Sequence, residues 1–203
     1  LGGSTTSTPA VGLLSTVGAY HTTNGGGNDG FLIKFNSLGA RQWCTFFGGP
    51  GNDNITSVAV DGFNNVYITG GTASTTNIAS AGAYQIARNG STDAYLAKFN
   101  SAGSIQWSTY YGGSSQETGY GVACDLLGNA FITGQTNSIT TMASAGAFQS
   151  SLSGTNDAFI ASFTAAGIRS WGTYFGGTGS EIANAIALDP VTGNIAIVGN
   201  TTS

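Results

Sequence analysis

Residues 93–113 read DAYLAKFNSAGSIQWSTYYGG, and this stretch occurs three times in the chain. Its counterparts are DGFLIKFNSLGARQWCTFFGG at residues 29–49 and DAFIASFTAAGIRSWGTYFGG at residues 157–177. The three tryptophans, Trp43, Trp107 and Trp171, are 64 residues apart (107 − 43 and 171 − 107). A fixed period of this length is typical of folds that stack identical supersecondary units. The sequence therefore predicts a repeat protein with three copies of one unit.

The second half of each unit repeats as well. An acidic residue, Asp53, Glu117 or Glu181, precedes SVAVDGFNNVYITGG (57–71), GVACDLLGNAFITGQ (121–135) or AIALDPVTGNIAIVGN (185–200). A linker of about twenty residues then leads to the next copy. The start of the chain is matched in the same way, with residues 1–3 aligned on residues 69–71.

Each unit contains four apolar runs separated by turn residues, at 94–99, 105–111, 119–124 and 130–134 in the middle copy. Asn100 and Gly103 lie between the first two runs, where Asn can bond its own backbone and Gly can adopt positive φ. Asp125 begins the second reversal, and Asp61 and Asp189 occupy the same place in the other copies. Charged residues make up 7% of the chain and aromatic residues 11%, which favours short strands over amphipathic helices. We therefore predict four antiparallel strands per copy.

A four-stranded antiparallel sheet that recurs at a fixed period is the blade of a β-propeller. We predict an all-β, propeller-type repeat with three four-stranded blades of period 64, forming part of a larger ring or array. An open β-solenoid and a row of sandwich-like domains are the alternatives. The linker is expected to cross from the outer strand of one blade to the inner strand of the next. The predicted boundaries are 1–29 (end of a preceding blade plus linker), 30–93 (blade 1 and linker), 94–157 (blade 2 and linker) and 158–203 (blade 3).

The unit resembles the bacterial SBBP repeat in DAYLAKFNSAG, WSTYYGG, GNAFITG and SAGAFQ. Departures are Ser162 for lysine, Thr164 for asparagine and Val198 for threonine. The resemblance covers nearly the whole chain and implies a propeller segment of a large, exported or cell-surface bacterial protein. It implies an extracellular location and a structural, adhesive or interaction role, and it supplies no general catalytic motif. Because propellers usually close with four to eight blades, we expect further blades of the same chain, or copies of it, as partners.

Charge limits the classes of partner. The net charge is −4 with five lysines and arginines, so no basic stripe is available for nucleic acid or an anionic membrane surface. No apolar stretch is long enough for membrane insertion. A protein or a neutral glycan remains open as a partner.

The recurring aromatic residues are interpreted as packing between blades. As sugar-stacking platforms they would support a carbohydrate-binding module, which requires an exposed tryptophan. A binding site would more often break the symmetry, and the features peculiar to the first copy are residues 9–14, the glycine run 25–27 and His21, which replaces Gln85 and Gln149.

No catalytic, cofactor-binding or metal-binding residues are predicted, and no cofactor is expected. His21 is the sole histidine, Cys44 and Cys124 fall on different strands and are read as small apolar thiols, and no segment has calcium-loop spacing. Calcium at clusters around Asp29, Asp157 and the acidic series remains an alternative. A secreted enzyme with its site in other blades is another. It predicts carboxylates or histidine near the propeller axis, and a channel lined by Lys34, Lys98 and small side chains would count against it.

Overall fold

The computed structural model describes residues 1–7, 14–189 and 191–203, and these residues form β-strands and turns but no helix. The predicted all-β fold is confirmed. In chain order the strands are β1 (Gly2–Thr5), β2 (Asp29–Phe35), β3 (Arg41–Phe47), β4 (Ser57–Val60), β5 (Val66–Thr72), β6 (Asp93–Phe99), β7 (Ile105–Tyr111), β8 (Glu117–Cys124), β9 (Ala130–Thr136), β10 (Asp157–Phe163), β11 (Arg169–Phe175), β12 (Glu181–Leu188) and β13 (Ile195–Thr201).

The strands form four antiparallel sheets, each with its strands paired in sequence order. Sheet I is β1-β2-β3, sheet II is β4-β5-β6-β7, sheet III is β8-β9-β10-β11 and sheet IV is β12-β13. Strand β4 contacts β8, and β8 contacts β12, so the first strands of successive sheets lie side by side. This arrangement is that of propeller blades around an axis, with the first strand of each blade innermost.

The assignment of strands to blades differs from the prediction. Sheet II takes β4 and β5 from one sequence unit and β6 and β7 from the next. The boundaries at 30–93, 94–157 and 158–203 therefore do not enclose the observed sheets, and among the described residues two sheets rather than three have four strands. Strands β5 and β6 pair over seven residues, from Val66 opposite Phe99 to Thr72 opposite Asp93. A periodic sequence is equally compatible with any of the four strands as the first strand of a blade. Only this pairing between strands that are distant in the sequence decides which strand comes first.

The role predicted for the linker is wrong. Residues 73–92 join β5 to β6 inside sheet II, and the short segment 112–116 crosses from sheet II to sheet III. The linker lies along the outer strand β7, where the Ser80 amide donates to the Ser108 carbonyl at 2.9 Å and the Tyr110 amide to the Gln85 carbonyl at 3.2 Å. It thus covers the backbone groups that an edge strand would leave open.

The start of the chain is displaced by one residue from the predicted alignment. Gly3 pairs with Phe31 and Thr5 with Asp29, as Gly70 pairs with Tyr95 and Thr72 with Asp93. Strand β1 is therefore the counterpart of residues 69–72. A shift of one residue exchanges the two faces of a strand, and so this register decides which side chains of β1 point to sheet II.

The predicted turns are confirmed. Gly39, Gly103 and Gly167 have φ of 76°, 88° and 81°, the left-handed region that favours glycine. Asn100 Oδ1 accepts the backbone N–H groups of Ala102 and Ser104, each at 3.0 Å. In the second reversal the aspartate series bonds its own turn, through Leu127 and Asn129 to Asp125, Phe63 and Asn65 to Asp61, and Val191 to Asp189.

The hydrophobic core lies between consecutive sheets. Within β5, Ile68 packs toward sheet I and its neighbour Tyr67 toward sheet III, as expected for side chains that alternate across a strand. The cluster between sheets I and II includes Leu32, Trp43, Phe47, Tyr95, Phe99 and Tyr110. The cluster between sheets II and III includes Leu96, Tyr111, Ile132, Phe159, Phe163 and Tyr174.

Candidate interaction surfaces

The indole of a tryptophan in one sheet packs against the hairpin turn of the next sheet and donates a hydrogen bond to it. The Trp43 indole Nε1 donates to the Ser101 carbonyl at 3.0 Å, and Trp107 Nε1 donates to the Ala165 carbonyl at 2.9 Å. We call this contact the inter-sheet joint. Its recurrence, 58 residues along the chain each time, shows that the repeat encodes the packing of neighbouring sheets.

Glycine in the receiving turn makes the joint possible. A Cβ on Gly103 would lie 2.7 Å from the Trp43 ring, and a Cβ on Gly167 would lie 2.8 Å from the Trp107 ring. Such distances are too short for a methyl group, so a residue without a side chain lets the indole lie against the turn. No described atom lies within 4 Å of a Cβ built on the corresponding Gly39. The turn of sheet I is thus shaped for a tryptophan but carries none among the described residues.

The lysines that precede the turns also belong to the joints. Lys34 Nζ donates to the Ser101 carbonyl and Lys98 Nζ to the Ala165 carbonyl, both at 3.2 Å. Lys98 also lies 4.0 Å from the Asp61 carboxylate and 5.1 Å from the Tyr67 ring centre. Both lysines lie on the third strand of the blade pattern, away from the inner strands. The channel lined by Lys34 and Lys98, which would have counted against the enzyme alternative, is therefore not observed.

Two faces that correspond to buried joints are exposed. Trp171 is 36% exposed although Trp43 is 7% exposed, and Phe175 is 49% exposed although Phe47 is buried. At the other end, Phe35 is 48% exposed on sheet I. Its counterparts Phe99 and Phe163 are buried. The faces of sheets I and III that lack a neighbouring four-stranded sheet thus carry apolar side chains of joint type.

A second repeated structure surrounds the acidic residues Asp53, Glu117 and Glu181, which lie at or shortly before the start of the innermost strands β4, β8 and β12. Glu117 is buried and accepts the Gly113 N–H at 2.8 Å and the Thr136 hydroxyl at 2.7 Å. We call this set of donors the carboxylate cage. Asp53 accepts from Gly49, Thr72 and Ser74, and Glu181 accepts from Gly177, Thr201 and Ser203. Since N–H and O–H hydrogens point at these oxygens, the cage is poorly suited to a calcium ion. These donors favour the ionised carboxylate, but burial outweighs them at Glu117 and raises its pKa.

A second carboxylate approaches each cage. A Cβ on Gly48 would lie 2.6 Å from Asp29 Oδ1 and 2.7 Å from Asp53 Oδ2, and Gly112 and Gly176 have the same surroundings. Burial, together with the charge of Asp53, raises the pKa of Asp29 to about 6. Burial also raises the pKa of Asp93 and Asp157. The Oδ1 atoms of Asp29 and Asp157 are buried without a hydrogen-bond partner among the described residues.

In two of the three copies a glutamine side chain donates a hydrogen bond to this second carboxylate. Gln85 Nε2 donates to Asp93 at 2.7 Å, and Gln85 Oε1 accepts the Gly112 N–H at 2.9 Å. Gln149 bridges Asp157 and Gly176 in the same way, at 2.5 and 2.9 Å. These glutamines were singled out in the sequence only as the residues that His21 replaces, and their bonds to the aspartates depend on the fold.

His21 and the glycine run 25–27, two of the features peculiar to the first copy, serve local packing. The His21 ring stacks on Tyr20 with ring centres 4.1 Å apart, and burial lowers the pKa of its imidazole. The glycine run 25–27 lies against the backbone of residues 49–51. Residues 9–13 lie outside the described residues. No group of three or more His, Cys, Asp or Glu in the described ranges is arranged to hold a metal ion.

The cysteines stay apart, with Cys44 buried in β3 and Cys124 half-buried at the end of β8. Both are thiols, as predicted. The described part of the chain includes no helix of the length and apolarity needed to cross a membrane.

A groove of about 250 Å³ lies at the joint between sheets II and III. Its lining includes Tyr84, which is 43% exposed, the edge of Trp107, and Arg169. Arg169 Nη1 donates to the Tyr84 hydroxyl at 2.6 Å and Nη2 to the Met142 carbonyl at 2.7 Å, while the guanidinium lies 5.3 Å from the Tyr84 ring centre. The groove thus combines an accessible aromatic ring with a fixed cation.

Comparison with known proteins agrees with this architecture. A segment of 103 residues is 30% identical to an uncharacterised WD repeat-containing protein of Acanthamoeba polyphaga mimivirus, and it covers 47% of this chain but 7% of the viral protein. Residues 42–78 and 106–139 match the family model of the SBBP β-propeller repeat. Both matched segments begin beside a joint tryptophan and extend past the hairpin that follows it. The sequences of these two segments are therefore those of SBBP-type β-propeller repeats.

Proposed function

We propose that this chain is a non-catalytic scaffold that presents rigid loops and turns to protein partners. The observation that carries the proposal is the internal use of the repeated polar groups. The cage carboxylates accept bonds within their own sheet, and the joint tryptophans and lysines bond the neighbouring sheet. The buried carboxylates predicted for an enzyme site near the axis are thereby occupied in holding the fold together. What remains for recognition is the surface of the loops, held in place by stacked sheets.

The scaffold role is tested by binding to defined proteins. The purified chain is immobilised, and solutions of candidate partner proteins are passed over it. The first candidates are proteins of the surface on which the host grows. We expect saturable binding. Substitutions in the loops should weaken this binding without changing the thermal unfolding of the chain. Turnover of a substrate that is lost when Asp29 or Glu117 is replaced by its amide would overturn the non-catalytic role.

We also propose an extracellular setting, as an adhesive or structural part of a bacterial cell-surface or secreted protein. Support comes from the resemblance noted in the sequence and from a charged fraction of 7%, which leaves serine, threonine and asparagine to cover much of the surface. The test is protease treatment of intact host cells followed by detection with an antibody against residues 93–113. Loss of the signal, or its presence in the culture medium, is expected, and full protection inside the cells would contradict the proposal.

Carbohydrate binding is a second candidate, favoured by the groove of Tyr84 and Arg169. The tryptophans give it little support, because Trp43 is buried in a joint and Trp171 lies on an uncovered sheet face. A sugar that stacks on an aromatic ring would use Tyr84, and an acidic sugar would pair with the guanidinium. A glycan array read with the parent chain, Tyr84→Ala and the matched change Phe63→Ala on a distant exposed turn would decide it. Equal signals from all three proteins would exclude the groove.

A further inference from the structure

We propose that one end of sheets II and III docks a segment of a partner protein that carries both acidic and apolar side chains. The docking residues are Leu126 and Leu127, on the turn between β8 and β9, and Tyr84, Ile168 and Arg169, which line the groove between the two sheets. We call these five residues the turn-end surface. The inference rests on the proposed scaffold role and goes further, because it names the docking face and the chemistry of the partner.

The first observation is that the two ends of the sheets carry different groups. In sheet III, Glu117 lies opposite Thr136, and Thr136 lies opposite Asp157. The inner turn that follows β8 and the hairpin turn that follows β10 both lie at the other end of the same strands. We call these two ends of the sheets the cage end and the turn end.

The formal net charge also differs between the two ends. The cage end has one cation and six carboxylates, a net charge of −5, and the turn end has four cations and three aspartates, a net charge of +1. A strand of seven residues holds the two ends about 20 Å apart, and the screening length at physiological ionic strength is about 8 Å. An acidic partner is therefore repelled by the cage end and attracted to the turn end. The cage-end residues are Asp29, Asp53, Arg88, Asp93, Glu117, Asp157 and Glu181, and the turn-end residues are Lys34, Arg41, Asp61, Lys98, Asp125, Arg169 and Asp189.

The second observation is a fixed cation that contacts only neutral groups. Arg169 donates to the Tyr84 hydroxyl and to the Met142 carbonyl, and its guanidinium lies 5.3 and 5.6 Å from the ring centres of Tyr84 and Tyr111. No carboxylate among the described residues forms an ion pair with Arg169. Because Arg169 lines the groove, its charge is available to a carboxylate of a partner.

The third observation is that exposed apolar side chains lie near this cation. Leu126 and Leu127 are exposed, although the inner strand of their sheet, β8, contacts β4 on one side and β12 on the other. Their turn is held by the Asp125 carboxylate, which accepts the Leu127 N–H at 2.9 Å, and this bond does not require an apolar side chain. Ile168 and Tyr84 are exposed as well. Apolar groups grouped in this way on a polar surface mark an interaction site.

The apolar residues and the cation form one continuous surface. A Cβ on Gly128 would lie 3.4 Å from the Ala165 Cβ, so the inner turn of sheet III lies against the hairpin turn that carries Ile168. The groove at this hairpin turn leads on to Arg169 and Tyr84, and its lining includes no aspartate or glutamate. A sugar would leave the leucine and isoleucine side chains in water, whereas apolar side chains of a protein segment would bury them. A segment with apolar side chains on the turns and a carboxylate on Arg169 therefore matches the whole surface.

The test uses an array of short synthetic peptides in which the acidic and the apolar content vary independently. The labelled chain should bind peptides that contain both leucine and glutamate, and replacing glutamate by glutamine should weaken this binding. Leu127→Ser should raise the dissociation constant about tenfold, because it removes an apolar contact. The matched control is Ile86→Ser, since Ile86 is 71% exposed against 72% for Leu127 but follows Gln85, which bonds Asp93 at the cage end. This control should leave binding unchanged.

A second pair of variants tests the charge. Arg169→Gln and Arg88→Gln change the net charge of the chain equally, but Arg88 donates to the Ser91 carbonyl at the cage end. Arg169→Gln should weaken the binding of acidic peptides about tenfold and reduce its dependence on salt, whereas Arg88→Gln should do neither. Thermal unfolding of each variant shows whether it is folded. Leu127→Ser, a change on an exposed turn, keeps the test decisive if Arg169→Gln does not fold.

Three results would overturn the docking surface. They are equal affinities of the Arg169→Gln and Arg88→Gln variants, a preference for basic or uncharged peptides, and the absence of any bound peptide. Binding to vesicles of anionic phospholipid in place of the peptides would assign the surface to a membrane and would equally overturn the proposal. If a folded partner protein binds the chain and Leu127→Ser leaves that binding unchanged, the docking surface is wrong while the scaffold role stands.

Discussion

Trp43 and Trp171 occupy the same position in the repeat but lie in different surroundings. Trp43 reaches the Ser101 turn and is 7% exposed, whereas Trp171 has no such turn among the described residues and is 36% exposed. The residue and its strand are alike, so the neighbouring sheet causes the difference. The comparison teaches that each repeat encodes one half of a joint, and that burial requires the other half.

The largest expected effect separates these two tryptophans. Trp43→Ala should lower the free energy of unfolding by about 3 to 5 kcal/mol, because it removes a buried indole and its hydrogen bond. Trp171→Ala should cost less than about 1 kcal/mol in a single chain, because that indole is already in contact with water. Urea unfolding, at a concentration where both variants have the mass of one chain, measures both. Equal losses would contradict the view that the neighbouring sheet determines the contribution of the tryptophan.

The carboxylate cages provide a second matched pair. Glu117→Gln places an amide among donors, so at least one buried N–H or O–H loses its acceptor, and we expect a loss of about 1 to 3 kcal/mol. Glu181→Gln makes the same change in the two-stranded sheet IV, where the cage is more open, and should cost less. Thermal unfolding of both variants at pH 8 gives the comparison. An equal or larger loss for Glu181→Gln would show that the cages do not depend on a complete sheet.

Replacing the second carboxylate by its amide should change the stability of the protein in opposite directions at Asp29 and at Asp93. The pKa of Asp29 rises from 3.8 to about 6 on folding, so between these values the folded protein holds a proton that the unfolded chain has released. The contribution of Asp29 to stability therefore falls as the pH rises from about 4 to 6, and above pH 6 the fold carries a buried charge. Asp29→Asn removes this cost. Because water screens part of the charge, we expect less than the full value of the pKa shift, a stabilisation of about 1 to 2 kcal/mol at pH 7.5, with little effect at pH 4.

Asp93→Asn is the matched control for that change. Asp93 accepts N–H groups from Asn89, Gly90 and Gln85, and an amide would lose at least one of these bonds. We expect Asp93→Asn to lower the melting temperature at pH 7.5. If both variants shift the melting temperature in the same direction, the unpartnered oxygen of Asp29 does not determine whether the amide stabilises or destabilises the protein.

The smallest expected effect concerns the histidine of the first copy. His21→Gln introduces the residue that bridges the aspartate and the glycine N–H in the other copies, but it removes the stacking of the imidazole on Tyr20. The two changes oppose each other, so we expect a net change within about 1 kcal/mol. Calorimetry at pH 7.5 tests it. A larger loss would give His21 a role that the glutamines do not have.

Local chemistry explains which predictions succeeded. The turn at Asn100 and Gly103, and the aspartate series at Asp61, Asp125 and Asp189, involve residues close in sequence, and their bonds follow from short-range geometry. The sequence also identified the acidic positions, but it connected Asp29 and Asp157 only with an alternative calcium cluster and not with a second carboxylate beside each cage. No pattern in one chain could show that Asp29 and Asp53 meet at Gly48, since Asp29 begins β2 and Asp53 lies in the segment between β3 and β4.

By itself the sequence determined the period, the strands, their turns and the SBBP-type repeat, because alternation and turn chemistry act over a few residues. Tertiary structure alone decided which strands share a sheet. In a periodic chain any four consecutive strands have the same composition. Which four form one sheet depends on the hydrogen bonds between β5 and β6, which are separated by a linker of about twenty residues. It also decided that the linker covers the outer strand, and that Trp43 is buried while Trp171 is exposed. These outcomes depend on neighbours in space, which each repeat unit lacks when taken alone.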